Sequence, residues 1–315
     1  MKFKVFVDGQ EGTTGLKIND YLSVRTDIEV LYIKPENRKD IESRRILLNE
    51  ADIVFLCLPD IAAKESVSLV TNKKTRIIDA STAHRTDANW AYGIPELNKA
   101  QRKIIHDSNR VSVPGCHATG FAMSLYPLIN EGIMPKDYPV TCCSLTGYSG
   151  GGKKLIERYE NGHFSNLYSP KNYALKLDHK HLPEMRKIAG LDYPPIFTPI
   201  VANFYKGMTV SIPLLSRLLN KKLAAKNVHD FLSEYYASER FINVMPFESD
   251  SNLEDGFLDA EGCNDTNRID IFVFGNENQI LLTARLDNLG KGASGAAIQN
   301  MNVMLGLDEG IGLKV

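Results

Sequence analysis

Little in this chain points to a metal, a membrane or a polyanion. No CxxC or HExxH spacing occurs, and the five cysteines are odd in number and scattered. Neither a zinc site nor a disulfide framework is expected from such a pattern. Cys57 lies inside an apolar run and reads as core, Cys142 and Cys143 point to opposite faces of a strand, and Cys263 falls in a polar stretch. These thiols suit a reducing compartment, and the short start before residue 9 reads as a first strand rather than a signal peptide, so a cytoplasmic location is expected. No apolar run approaches the roughly 18 residues of a spanning helix, so no membrane contact is expected. An excess of charge of one sign is also missing: 37 Lys and Arg face 38 Asp and Glu, for a net charge of −1, which offers no basic surface to a nucleic acid. What the chain does have is ordinary globular composition, 43% hydrophobic over 315 residues, enough for one large or two ordinary domains with a sizeable core.

The first part alternates short apolar runs with helical patterns. Residues 4–7, 28–33, 53–58, 76–80 and 110–113 read as strands, with helices near 15–22, 38–48 and 61–70. That alternation predicts a parallel, doubly wound sheet of Rossmann type, an α/β class. Gly9, Gly12 and Gly15, with Thr13 and Thr14 among them, follow the first strand and open the first helix. A tight turn there lets backbone N–H groups approach a pyrophosphate, so these five residues are expected to bind a dinucleotide. Lys34 follows the second strand, with Arg38 and Lys39 nearby and the first acid, Glu36, beyond Pro35; a basic residue at that place favours NADP over NAD. Pro59 and Ser81 stand at the ends of the third and fourth strands, where ligands of this fold sit, and Arg85 could clamp a carboxylate or phosphate.

Cys116 occupies the most informative position. In Val113-Pro114-Gly115-Cys116-His117-Ala118-Thr119-Gly120 a strand end and a sharp turn precede a helix pattern reaching 130, which puts the thiol in the first helical turn. Unpaired N–H groups there favour thiolate and could hold an oxyanion. From about 139 the runs lengthen and become β-branched: 140–145, 197–204, 209–214, 243–247, 268–274 and 279–285, the last two around the hairpin signal Gly275-Asn276-Glu277-Asn278, with one helix at 228–238. An α+β domain with a mixed or antiparallel sheet is expected, one face of which a partner subunit could cover. Ser149 and Gly150 lie in a glycine-rich loop able to approach a ligand. His179 and His181 stand two apart in Leu177-Asp178-His179-Lys180-His181-Leu182-Pro183-Glu184, and one of them could transfer protons. The tail from 290 to 307 is helical and rich in small residues, and reads as returning to the first domain. The expected division is 1–115 as the NADP-binding domain, completed by 288–315, and 116–287 as the catalytic and dimerisation domain.

A cysteine nucleophile beside a nicotinamide dinucleotide has one common use, in which thiolate attacks an aldehyde or activated acyl group and hydride passes to or from the adduct. The strings at 9–15, 79–85, 114–119, 179–184 and 287–296, the last being Asp287-Asn288-Leu289-Gly290-Lys291-Gly292-Ala293-Ser294-Gly295-Ala296, resemble those of the short type of N-acetyl-γ-glutamyl-phosphate reductase of arginine biosynthesis. The resemblance runs from end to end. It implies NADPH-dependent reduction of N-acetyl-L-glutamyl 5-phosphate to the 5-semialdehyde with release of phosphate. It further implies Cys116 as nucleophile through a thioester, His179 as acid–base with His181 as second candidate, Tyr173 and Arg85 as substrate contacts, Asn288, Gly290 and Gly292 as cofactor contacts, and a homodimer or homotetramer. The family's longer type has an acidic-aromatic stretch where this chain has Ala83-His84-Arg85, so Arg85 carries over less firmly than Cys116. Within the class, aspartate-semialdehyde dehydrogenase and the lysine-pathway reductase of N-acetylaminoadipyl phosphate share the route, and one methylene separates substrates by roughly 1–3 kcal/mol. A non-enzymatic NADP sensor would keep the glycine turn without needing Cys116. A cysteine hydrolase would leave the glycine turn unexplained.

Overall fold

A computed structural model describes residues 2–162, 165–247 and 253–315. The chain divides into two compact units, Met1–Pro114 with Ala293–Leu313, and Gly115–Gly292 with Lys314–Val315.

In the first unit β1 (Phe3–Asp8), β2 (Ile28–Leu31), β3 (Ile53–Leu56), β4 (Arg76–Asp79), β5 (Ala91–Tyr92) and β6 (Arg110–Ser112) form one sheet in the order β2-β1-β3-β4-β6-β5. Every pair in it is parallel. Such a sheet needs cover on both faces. Val5 and Val7 accordingly join a core with Ile18, Leu22 and Met301, whereas Phe6 between them joins another with Leu48, Val54 and Ala63. The first core packs α1 (Thr13–Ser23) and α9 (Gly295–Met304); the second packs α2 (Ile41–Glu50) and α3 (Asp60–Leu69). The parallel doubly wound sheet expected from the alternation is present.

Local chemistry shifts some boundaries. The second strand stops at Leu31, and a 3-10 turn over Pro35–Asn37 precedes α2, so the helix expected from 38 begins at Ile41. Asp40 sets that start, its carboxylate accepting the Ser43 N–H at 2.7 Å. The two-residue β5 at the sheet edge is too short to leave a period in the sequence, and α4 (Gln101–Asp107) adds a helix beyond those expected from the alternation.

The second unit is built on a seven-stranded sheet ordered β11-β12-β13-β10-β7-β9-β8. The strands are β7 (Thr141–Gly147), β8 (Lys171–Asn172), β9 (Ile196–Ala202), β10 (Met208–Leu215), β11 (Ile242–Val244), β12 (Ile269–Gly275) and β13 (Gln279–Leu286). Two pairs, β7 with β9 and β11 with β12, are parallel and the others antiparallel, so the sheet is mixed. α5 (Cys116–Asn130) lies against β10 and β13, and a Cβ on Gly120 would come within 2.8 Å of Val210. α6 (Lys153–Asn161), α7 (Leu182–Ala189) and α8 (Ala225–Tyr235) complete the unit. Residues paired across strands at Thr141 and Ile196, Cys143 and Thr198, and Pro213 and Leu281 are all exposed, so one face of this sheet is open. Among the described residues no helix is long and apolar enough to cross a membrane.

Candidate active site

In the first unit the strand β1 ends at Asp8 and the chain turns into α1. Gly9 has φ +91°, and a Cβ there would lie 2.3 Å from the Cys57 carbonyl oxygen; one on Gly15 would lie 2.5 Å from the Gly9 carbonyl oxygen. Only glycine permits this closeness. Gly12 caps α1 in an extended conformation with no side-chain hydrogen bond, which leaves the first N–H groups of α1 to a ligand. A cleft of about 560 Å³ opens there, lined by residues 8–12 together with Arg38, Lys39 and Pro59 among others. Asp8 is buried and accepts from Arg44 at 3.0 Å and from the Ser66 hydroxyl at 2.8 Å. Arg38 pairs with Glu11. Lys34 caps the 3-10 turn, and the cations lining the cleft beside the buried Arg44 are Arg38 and Lys39. A glycine turn with no room for side chains, open N–H groups and flanking cations is the donor set a dinucleotide needs, so these residues fit one.

The ends of β4 and β6 are tied together in the same unit. Ser81 donates its hydroxyl to Asp79 at 2.7 Å, and the ring of His84 meets the same carboxylate oxygen at 2.6 Å while stacking on Trp90. Arg85 is buried, with Nε donating to the Val113 carbonyl at 2.9 Å and a terminal nitrogen to Ala80 at 3.2 Å.

In the second unit Cys116 is the first residue of α5, after Gly115 at φ −76° and ψ 145°. The turn is held by the Gly115 N–H, which donates to the buried Glu184 carboxylate at 2.8 Å. Gly292 makes room for Cys116, since a Cβ there would stand 2.7 Å from Cys116 Cβ. It belongs to a π-helical turn, Gly290–Ser294, a form that concentrates at functional sites.

Beside Cys116 the chain gathers three imidazoles. The ring of His117 lies 5.5 Å from those of both His179 and His181, and these two stand edge to face at 4.7 Å. Phe197 closes against His117 and His179 at 5.1 Å. His117 Nδ1 meets Ser144 Oγ at 2.8 Å and its Nε2 meets the Tyr173 hydroxyl at 2.9 Å. Burial, aided by the charges of His179 and Lys180, pushes the His117 pKa down to about 3, so the ring is neutral at physiological pH. Burial, with a contribution from the charge on Cys116, raises the Tyr173 phenol. His179 Nδ1 accepts the backbone N–H of His181 at 3.1 Å, so a neutral His179 carries its proton on Nε2. The loop joining Tyr173 to His179 turns back through Ala174 and Leu177, both at positive φ (52° and 57°).

Ser149 is buried and accepts from Asn288 Nδ2 at 2.9 Å, and Asn288 Oδ1 accepts the Gly207 N–H at 2.8 Å. Gly150 is exposed beside them. Gly290 is packed so that a Cβ would fall 2.4 Å from the Thr266 carbonyl oxygen.

Residues 4–105 match the family described as "Semialdehyde dehydrogenase, NAD binding domain", and residues 116–288 match "Semialdehyde dehydrogenase, dimerisation domain". N-acetyl-gamma-glutamyl-phosphate reductase 2 of Nostoc sp. is 48% identical over 99% of both chains, and the N-acetyl-gamma-glutamyl-phosphate reductase of Mesorhizobium japonicum is 45% identical over 98% of this chain and all of its own. The chain belongs to the N-acetyl-γ-glutamyl-phosphate reductases, within the semialdehyde dehydrogenase family. Aspartate semialdehyde dehydrogenase II of Vibrio cholerae shares the fold of this reductase-family chain, with a TM-score of 0.72 at 14% identity over 97% of this chain and 98% of its own.

For this family member the structure gathers Cys116, Tyr173, His179 and His181 in one unit, with Gly292 against the cysteine; Ser149 and Asn288 form a bonded pair in the same unit. Gly9, Gly12, Thr13, Thr14, Gly15, Pro59, Ser81 and Arg85 belong to the other. His117, Ser144, Glu184 and Phe197 were not singled out from sequence. His117 had one available signal, its place next to Cys116. Glu184 had one too, closing the string that holds His179 and His181, whereas Ser144 and Phe197 reach the site from separate strands and had none.

Proposed function

We propose that this chain catalyses NADPH-dependent reduction of N-acetyl-L-glutamyl 5-phosphate to N-acetyl-L-glutamate 5-semialdehyde and phosphate, through a thioester on Cys116. The supporting observation is Cys116 at the first residue of a buried helix, next in the chain to His117, whose ring stands 5.5 Å from those of His179 and His181. The relatives named above carry this activity in their names. Residues 9–15, with Pro59, Ser81, Lys34 and the 288–292 segment, would hold the dinucleotide, and Arg38 and Lys39 favour the 2′-phosphate of NADP.

The Cys116 sulfur attacks the acyl carbon, the carbon–sulfur bond forms and phosphate leaves with the electrons of the broken carbon–oxygen bond. The N–H groups at the start of α5 stabilise the oxyanion of that tetrahedral adduct. When bound, the reduced dinucleotide supplies the hydride that takes the thioester carbon to the aldehyde level. The resulting oxyanion collapses and expels the Cys116 thiolate, which is then ready for the next turnover. His179, with Nε2–H as donor, hydrogen-bonds the developing oxygen charge or protonates the leaving group, with His181 as the alternative. Arg85, Tyr173, Ser149 and Gly150 are assigned to substrate. We place the dinucleotide domain at 1–115 with 288–315 and the catalytic and dimerisation domain at 116–287, in a cytoplasmic homodimer or homotetramer assembled through the open face of the mixed sheet.

The test is the reverse reaction, followed by the absorbance of the reduced nicotinamide, with phosphate and either N-acetylglutamate semialdehyde or aspartate semialdehyde. Signal with the acetylated substrate, abolished by alkylating Cys116, is expected. Signal with aspartate semialdehyde alone would keep the chemistry and refute the substrate. Silence with both, in protein that still binds NADP, would refute the enzyme.

A further inference from the structure

We propose that His117 is a positioning residue, locked in one neutral tautomer, that presents the Tyr173 hydroxyl to the reaction centre as an acceptor only. Ser144 has a single hydroxyl proton, and it goes to the Thr209 carbonyl oxygen at 2.9 Å across the β7–β10 pairing. Ser144 Oγ can therefore meet His117 Nδ1, 2.8 Å away, only with a lone pair, so Nδ1 carries the hydrogen. A neutral ring protonated at Nδ1 has its lone pair on Nε2. The Tyr173 hydroxyl, 2.9 Å from Nε2, must then donate its one proton to His117. The chain of donors runs Tyr173, His117, Ser144, Thr209, and it ends on a backbone carbonyl. It is a fixed orientation and not a path along which a proton can leave.

The groups facing His117 are His179 and His181 from the 177–184 segment, Tyr173, Lys180 and the adjoining Cys116. None is a carboxylate that would favour an imidazolium. Were His117 protonated, both its nitrogens would donate and the phenol would be released to donate elsewhere. As it stands, Tyr173 offers only lone pairs and cannot give a proton to the sulfur of Cys116, whose charge it feels. Donation at the centre is left to the N–H groups of α5 and to Nε2–H of His179. His117 thus acts through Tyr173, and its neighbour Ser144 fixes which nitrogen does so.

The kinetic part of this proposal rests on the acyl-phosphate reductase reading; the spectroscopic part does not. Nitrogen-15 NMR of histidine-labelled protein should show His117 protonated at Nδ1 and unchanged from pH 5 to 8, the range in which an ordinary histidine titrates. Ser144→Ala removes the acceptor, so the proton should move to Nε2, and kcat should fall by about tenfold, the scale of one hydrogen bond, with KM changed less than twofold. Ser144→Thr should restore both. Tyr173→Phe, which leaves the fold's hydrophobic contacts in place, should shift the Nε2 resonance alone. An Nε2–H tautomer in the wild-type protein, titration of His117 between pH 5 and 8, or a Ser144→Ala variant with the tautomer reversed and kcat intact would each overturn the proposal. Wild-type protein inactive on every acyl phosphate would instead sink the functional reading, and the tautomer result would then decide this one by itself.

Discussion

Gly12 and Gly115 cap α1 and α5 with nearly the same backbone, φ −69° and ψ 156° at the first, φ −76° and ψ 145° at the second, and neither cap residue has a side chain to bond the first turn. Each follows a strand of a parallel sheet and leaves backbone N–H groups to be satisfied from outside the helix. The surroundings differ. α1 buries only Gly15, Ile18 and Leu22, whereas α5 is buried at twelve of its fifteen residues. The first start is an exposed anion seat beside a cleft and suits a ligand that arrives and leaves. The second is part of a core, with Cys116 as its first residue. On the proposed function, one backbone device serves binding in one unit and chemistry in the other, and burial is what separates the two uses.

Replacing the nucleophile should separate them most sharply. Cys116→Ser is expected to lower kcat/KM by on the order of 10³-fold or more, as loss of a covalent nucleophile does, while a fluorescence titration of NADPH stays unchanged. Loss of both together would mean that the two starts are not independent. Gly292→Ala places a Cβ 2.7 Å from that of Cys116. Steady-state kinetics should show kcat down by roughly 10²-fold, since a displacement near 1 Å can cost that much. Gly15→Ala drives a Cβ to 2.5 Å from the Gly9 carbonyl oxygen. It should cost about 1–3 kcal/mol of stability and weaken NADPH by about tenfold or more, with the alkylation rate of Cys116 unaffected; slower alkylation would break the comparison.

The smallest effect is on stability against pH. The His117 pKa is about 3 in the folded protein, below its unfolded value. Between those values the unfolded chain binds the extra proton, so stability rises with pH across this window and is lost as pH falls from about 6.5. Urea titrations should show a loss approaching 2 kcal/mol between pH 6.5 and 5 from this group. His117→Asn should flatten the slope there; an unchanged slope would mean that the ring is not held neutral.

Legibility of the sequence follows the same division. The parallel sheet was readable because a strand buried on both faces is a continuous apolar run, as in Ile53-Val54-Phe55-Leu56. The glycine turn and the cysteine helix start were readable because each is local, within eight residues of chain. β5 was not, since two residues carry no period, and α7 begins at a Leu-Pro pair inside a string already read for its histidines. The Ser144 contact was out of reach for a different reason. Nothing near Ser144 in sequence marks it, and its bond to His117 depends on β7 crossing behind α5 with the correct face inward.

The α5 sequence, Cys-His-Ala-Thr-Gly-Phe-Ala-Met-Ser-Leu-Tyr-Pro-Leu-Ile-Asn, contains no Asp, Glu, Lys or Arg. The helix's own share of the field at its start therefore comes from peptide dipoles, and the carboxylate bonded there, Glu184, is buried in protein, where mobile ions do not penetrate. Ionic strength should leave the rate of Cys116 alkylation flat, while NADPH affinity, which on the proposed function draws on Arg38 and Lys39 at an open cleft, should decline as salt is added. The chain would keep its reactive sulfur poised under osmotic and ionic swings that change how often a cofactor is on hand to use it.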